Sequence, residues 1–378
     1  MTKININRIF ISLLIIEIVF GGGGRILEPL GVPPLRYVFF FIALAFFVIN
    51  AACKNIHINS DTAVIILALM GLPLYGSFIG SLNGSFTSDI AFDFQPYAYM
   101  LILIYICSLN KPNAEYSIDF FIKTVKVFSV SMSLVYICYI IMLRSGMINF
   151  AEFYQTLSLT SEVFFRPSGA FFAKSFFFIG IGAIFLFIEK RYFLFLLSML
   201  AVFLTETRGV FLFTGISIII ANLRTGGAVK NALYISAAIA AGFALIAAVG
   251  DRAGDSDSVR LNDFEFILRD MSGFYSIFGH GFGAQVLDRG RIEVVPLELL
   301  YKTGAIGIVL SIIPIFALSI RVLVKSFTTK QLQIVCALLF AAGVSITNPF
   351  LYTPMGIFVI AIAINSRRIA RGTPPSFT

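Results

Sequence analysis

The sequence has no tryptophan, only two histidines and four cysteines, and just 13% of its 378 residues are charged. Each shortage closes off a class of protein. A soluble chain carries about a quarter of its residues as charges, and half that density cannot cover a globular surface of this size. The histidines, His57 and His280, stand far apart, and no Cys/His pattern with zinc-ligand spacing occurs. Cys53, Cys107, Cys138 and Cys336 all fall in or beside apolar blocks, so no disulfide framework is indicated. A Walker motif is also missing.

What the chain has instead is apolar surface: 58% of its residues are hydrophobic, 15% are aromatic and the mean hydropathy is +0.92. The apolar residues come in blocks of about 15–25, the length that crosses a bilayer core. The expectation is an all-α polytopic membrane bundle, one integral membrane domain over residues 1–378. It has about twelve spans, near 8–24, 36–53, 62–82, 94–109, 124–143, 170–188, 192–206, 208–223, 231–249, 295–319, 331–347 and 350–366. The opening MTKININR followed by IFISLLIIEIVF looks like a signal peptide, but it lacks a small-x-small cleavage site and runs into Gly21–Gly24. It is read as an uncleaved first span. Glu17 within it reads as a packing residue or the partner of an arginine.

The net charge of +8 comes from 28 basic and 20 acidic residues. Twelve spans put both termini on one side. Placing them in the cytoplasm assigns sixteen of the 28 Lys and Arg to that side, and all five cytoplasmic connections then carry one. The outer turns near Asn83–Phe94 and Asn348–Pro349 carry none. Lys and Arg accumulate in cytoplasmic loops, so orientation accounts for the positive balance and no nucleic-acid partner is implied. The only sizeable polar segment, 250–294, is then a large periplasmic or extracellular loop, with a smaller one at about 144–169. Chemistry is expected on that face, where ATP and nucleotide sugars are not the donors.

Four constellations there could carry chemistry. In Thr205-Glu206-Thr207-Arg208-Gly209, two short apolar arms flank a polar turn. Each arm of the hairpin Tyr192–Asn222 reaches about 23 Å at 1.5 Å per residue, against a core of about 30 Å. The turn should be recessed, where a charge is costly and marks function by default; an interfacial turn with Arg208 snorkelling is the plainer alternative. In Phe165-Arg166-Pro167-Ser168-Gly169, Arg166 offers a planar fork suited to phosphate, with Lys174 able to extend the patch, or the pair anchors the interface. In the large loop, Asp257-Ser258 can cap an amphipathic helix with Leu261, Phe264, Leu268 and Met271 on one face and Arg260, Asp263 and Arg269 toward the other. Gly279-His280-Gly281-Phe282-Gly283 follows, a nest for an anion or a plain turn. Last come Glu293 and then Glu298 and Lys302 at i,i+4, which read either as a carboxylate base at the outer mouth or as a self-neutralising pair.

These elements, in this order from about Phe165 to Ser311, resemble the superfamily of O-antigen polymerases and O-antigen ligases. The resemblance is carried by Arg166-Pro-Ser-Gly169, Thr207-Arg208-Gly209, Arg260, Phe278-Gly279-His280-Gly281-Phe282-Gly283 and Leu299-Leu300 with Thr303-Gly304-Ala-Ile-Gly307. It implies a metal-independent glycosyltransferase without cofactor in the bacterial inner membrane. The donor is a glycan on undecaprenyl pyrophosphate, and a hydroxyl of another lipid-linked repeat unit attacks its anomeric carbon with inversion. Arg166, Arg208 and Arg260 would hold the leaving pyrophosphate, with Lys174 or Arg269 and the glycines Gly279, Gly281 and Gly283 as additions. Glu298, Glu293 and His280 are the candidate bases. A chain-length regulator is the implied protein partner. Ligases of the superfamily commonly carry His-Asn where this chain has Glu293-Val294, which favours a polymerase; a ligase is the first alternative and a flippase or other transporter the second.

Overall fold

The computed structural model describes residues 5–22, 24, 34–53, 56, 58–158, 162–166, 168–225, 254–324 and 328–372. The expected ninth span, 231–249, lies outside them. Among the described residues the first helices are α1 (Ile6–Gly21), α2 (Leu35–Ala52), α3 (Ser60–Leu82), α4 (Thr87–Ala98), α5 (Met100–Ser108), α6 (Lys111–Arg144) and α7 (Phe150–Ser158). There follow α8 (Phe177–Ile188), α9 (Tyr192–Leu204), α10 (Arg208–Thr225), α11 (Gly254–Asp270), α12 (Phe274–Phe278), α13 (Val295–Val324), α14 (Thr329–Val344) and α15 (Pro354–Gly372).

Among the described residues, five helical segments are long and apolar enough to cross a membrane: Leu35–Ala52, Ser60–Leu82, Thr87–Ser108, Lys111–Arg144 and Val295–Ile320. Shorter apolar helices cover Lys174–Ile188, Tyr192–Leu204, Arg208–Leu223 and Thr329–Val344. The chain is therefore an all-helical, multi-pass membrane protein in its main architecture. Large apolar side chains such as Leu67, Phe78, Phe193 and Ile313 stand exposed on these helices. A helix that turns apolar residues outward is built for a lipid surround.

Local signals explain where several helices begin. Asn5, Asn59 and Asn110 each accept a hydrogen bond from the backbone N–H three residues on. Thr328 and Gln331 form a reciprocal capping box before α14. These caps satisfy donors that a helix start leaves bare. The middle of the bundle is α8, buried from Phe177 to Phe187. Two glycines let its neighbours approach: a methyl group at Gly182 would lie 2.2 Å from Ser129 Cβ of α6, and one at Gly180 would lie 2.7 Å from Phe340 Cζ of α14. Small residues at such crossings replace the hydrophobic drive that lipid removes. Phe177 then stacks on Phe350 with ring centres 5.0 Å apart.

Several boundaries differ from those read from hydropathy. The fifth expected span, 124–143, belongs to a helix that starts at Lys111. Its first turns are amphipathic, burying Asn113, Ser117, Phe121 and Ile122 while Lys111, Glu115 and Lys123 face out. A hydropathy average misses such a stretch. The expected span 94–109 is broken at Tyr99, between α4 and α5. The sixth does not open as a helix at 170. It opens with β2 (Phe171–Ala173), paired antiparallel to β1 (Val163–Phe165) in the register Phe165↔Phe171, and then a single 3-10 turn, Lys174–Phe176. The all-α expectation thus acquires one small hairpin.

Candidate active site at one end of the bundle

Three arginines converge where the β-hairpin, the α9–α10 turn and the large loop meet. The hairpin turn is closed by Arg166 N donating to Ala170 O at 2.8 Å and by Gly169 at φ +81°. Arg166 is half-buried, and its Nε is buried with no hydrogen-bond partner. Burial pulls the Arg166 guanidinium below its ordinary pKa; the charges of Glu206 and Glu293 oppose that, and those of Arg208 and Arg260 reinforce it. An arginine remains protonated under such shifts. Five charges, three positive and two negative, therefore feel one another here.

The α9–α10 turn is held tightly. Thr205 and Thr207 are buried, and Thr205 Oγ1 donates to Val202 O at 2.7 Å. Glu206 sits between them at φ +55°, a left-handed conformation that costs a non-glycine residue energy and clusters at functional sites. Gly209 lies against the turn after α14, where an added methyl group would fall 2.2 Å from Thr347 Oγ1. On the other side of that turn, Arg260 of α11 reaches toward Thr347 O at 3.5 Å. Arg260 also donates from Nε and Nη2 to a single oxygen, Glu293 Oε2, at 3.0 and 2.6 Å. Thus Arg166, Arg208, Arg260 and Glu293 come together with Glu206.

Glu298 and Lys302 stand in a separate knot. Lys302 Nζ meets Asp93 Oδ1 at 2.7 Å and Glu298 Oε1 at 3.0 Å, and also donates to Gly290 O. Asp93 takes a second bond, from Gly283 N at 2.8 Å. The Phe278–Gly283 segment runs as a strap between α3 and α13. Gly304 breaks α13 at φ +63°, which frees the carbonyls of Tyr301 and Lys302 from their helical partners. His280 N and Gly281 N donate to them at 2.9 and 2.8 Å, and Phe282 N donates to Gly76 O of α3 at 2.8 Å. Gly281, at φ +89°, passes so close that a methyl group would lie 2.0 Å from Gly80 N. Gly279 and Gly283 also have positive φ, packed against Gly304 and Ser85.

The remaining candidates are elsewhere. The His280 ring lies between Tyr275 and Tyr301, with centroids 4.1 and 4.5 Å away. Its Nε2 is 3.1 Å from Asp270 Oδ2 without the alignment of a hydrogen bond. Burial lowers its pKa, and Asp270 works against that. Lys174 pairs with buried Glu162 at 3.7 Å. Arg269 is 83% exposed beside Glu265; nine residues from Arg260, it falls on the opposite face of α11 at about 100° per residue, not on a shared polar face as the sequence suggests. The expected apolar face of Leu261, Phe264 and Leu268 is exposed, while Asp263 and Ile267 are buried. Asp263 is buried against Arg289; burial raises its pKa, and Arg289 opposes the rise. Glu17 is the partner of an arginine, Arg36, at 3.2 Å. No group of three or more His, Cys, Asp or Glu side chains able to hold a metal ion occurs among the described residues.

Sequence reading names Glu206 only as part of the recessed turn, not as a site residue, and passes over Asp93 and Thr347. Glu206 has a signal, a carboxylate next to Arg208 in a recessed turn. Asp93 and Thr347 have none, since their partners are 209 and 87 residues away.

Comparison with known proteins bears on this arrangement. The chain is 45% identical over 360 residues to an O-antigen polymerase of Shigella flexneri, covering 95% of this chain and 94% of that protein. No family model matches it, and no solved structure does.

Proposed function

We propose, from the premise that the chain belongs to the O-antigen polymerase family, that the cluster of Arg166, Arg208 and Arg260 is where this polysaccharide polymerase transfers glycan. The donor is a glycan on undecaprenyl pyrophosphate and the acceptor is a sugar hydroxyl of a second lipid-linked repeat unit. The observation that carries this reading is the convergence of three guanidinium groups, one with a buried, unpartnered Nε, at one end of a membrane bundle. As the anomeric C–O bond breaks, negative charge grows on the pyrophosphate. Cations already fixed in place stabilise it without reorganising, and arginine forks match phosphate oxygens in pairs. Arg166 donates its open Nε to that group, with Arg208 and Arg260 completing the cradle.

The acceptor hydroxyl attacks from the face opposite the leaving group, so the anomeric centre inverts. Its proton passes to a carboxylate, and Glu293 is the candidate base that stands with the arginines. Glu298 and His280 support the site from the Lys302 knot and the tyrosine stack. Lys174 and Arg269 stand apart from the arginine cluster, paired with Glu162 and Glu265, and the glycines Gly279, Gly281 and Gly283 serve the site as the strap that holds α3 to α13. No metal or nucleotide sugar takes part. The protein has twelve spans in the inner membrane, both termini cytoplasmic and the loop 250–294 periplasmic, where a chain-length regulator can reach it.

Single Arg166→Ala, Arg208→Ala and Arg260→Ala variants, expressed in cells that lack their own polymerase, test the reading. The expected outcome is glycan reduced to single repeats while each variant accumulates in the membrane. Normal chain lengths in all three would overturn the mechanism. Long lipid-linked chains left untransferred would indicate a ligase.

A further inference from the structure

Arg166 and Arg208 are carried by separate elements, and one buried side chain touches residues next to both. Tyr136 lies in α6, 1% exposed. Its hydroxyl donates to Leu204 O at 3.0 Å, the last residue of α9. Its ring meets Phe171 of β2 edge-on at 4.9 Å and Phe176 at 5.2 Å. Phe171 pairs directly with Phe165, the residue before Arg166.

We propose that Tyr136 is a positioning residue for transfer, fixing the Thr205–Arg208 turn against the Arg166 hairpin. This rests on the function assigned above to the arginine cluster. The physical reason lies in how α9 ends. A helix leaves its last carbonyls without partners, and inside a membrane bundle no water is at hand to take them. At Leu204 the helix cannot simply run on, because the chain reverses at Glu206 with φ +55°. The Tyr136 hydroxyl takes over one of the orphaned carbonyls and lets the helix stop where it does. The ring is a large, stiff body pinned by two edge-on contacts, so the hairpin cannot shift relative to the turn without disturbing it. The hydroxyl sets where Arg208 and Glu206 begin; the ring sets where Arg166 ends.

Tyr136→Phe removes the tie to Leu204 and keeps the ring. Purified in detergent and assayed on lipid-linked repeat units per folded molecule, it is expected to lose roughly 10-fold or more in kcat, with KM changed less than about threefold. Tyr136→Leu, which loses both contacts, falls further. Tyr105→Phe is the control, another buried tyrosine whose hydroxyl donates to Asn7 Oδ1 at 3.3 Å, packed against Phe10 and Phe46 of α1 and α2. It keeps wild-type kcat. Wild-type kcat per folded molecule in Tyr136→Phe, or a yield loss with both constants intact, overturns the proposal. If Arg166→Ala and Arg208→Ala are inactive in the same assay, the functional reading survives that failure; if they are active too, the functional reading has failed first.

Discussion

The acidic residues at the end that carries the arginine cluster divide by what holds them. Glu293 gives one oxygen to Arg260 and remains 56% exposed. Glu298 and Asp93 close around Lys302, whose side chain is 4% exposed. A buried cation stripped of a partner is costly, about 3–5 kcal/mol, whereas a half-exposed carboxylate can lose its charge with little structural effect. Glu293→Gln is therefore expected to fold normally and to lose about 100-fold in turnover, as loss of a general base does. Asp93→Asn is expected to unfold at lower temperature in detergent. Calorimetric melting of both, beside chain-length profiles, checks the pair; a stable Asp93→Asn together with a fully active Glu293→Gln would reverse the two roles. Arg166 and Arg208 stand out in the sequence because arginine is rare beside apolar segments, and Arg260 because it lies on a helix of the large polar loop; their approach to one another is what the structure adds. The division between Glu293 and Glu298 was not legible there, because it depends on Asp93, which is 209 residues from Lys302.

Among the elements, α13 and the Phe278–Gly283 strap behave as one unit. The break at Gly304 is tolerated because His280 N and Gly281 N take the place of the missing helical donors. The sequence showed both glycine motifs but not that one completes the other, since hydropathy and spacing do not register a carbonyl lent across two elements. The close pass at Gly281 leads to a sharp prediction. Gly281→Ala adds a Cβ at φ +89° only 2.0 Å from Gly80 N, a clash with backbone that nothing nearby can relieve. It is expected to leave little folded protein in the membrane. Gly215→Ala in α10 adds its methyl group to open space and should hold or slightly raise stability, since alanine favours a helix by about 1 kcal/mol over glycine. Immunoblots of membrane fractions and melting in detergent separate the two; equal behaviour would mean that the strap does not lie as described. Element boundaries were least legible where amphipathicity replaced plain apolarity, as in the first turns of α6, and where a hairpin interrupted an apolar run before α8.

On the scale of the whole molecule, the charges sort into two ends. Opposite the arginine cluster, Lys126 pairs with Glu189, Lys330 meets Asp119 at 2.6 Å, and Arg367 and Arg368 donate to backbone carbonyls of Ala317, Cys107 and Leu109. Both burial and the two hydrogen bonds to Glu189 bear on its acidity: burial raises the pKa, and Lys126, Gln333 and Arg191 together bring it below its ordinary value. The proposed orientation puts this end in the cytoplasm. With Cys53→Ser and Cys138→Ser removing the exposed thiols, a Ser88→Cys variant in the first turn of α4 should react with an impermeant maleimide in spheroplasts. A Lys190→Cys variant should react only after the membrane is opened. The reverse pattern would invert the topology. The class of protein, a multi-pass helical membrane protein, was legible from composition and the length of the apolar blocks, because lipid imposes a demand on every spanning segment that averages can detect.

The strap also has a consequence for how the molecule is made. Asn83 donates to His280 O across 197 residues, and Gly80 waits over a similar interval for Gly281. When α3 leaves the ribosome, the groove at Gly76 and Gly80 has no occupant of its own, and nearly two hundred further residues must be synthesised and inserted before one arrives. This end of the bundle thus closes only late in synthesis. A chain that stalls before Phe278 has inserted helices but neither the strap nor Glu293 of the proposed site, so an incompletely synthesised polymerase is expected to be inactive by construction rather than by regulation.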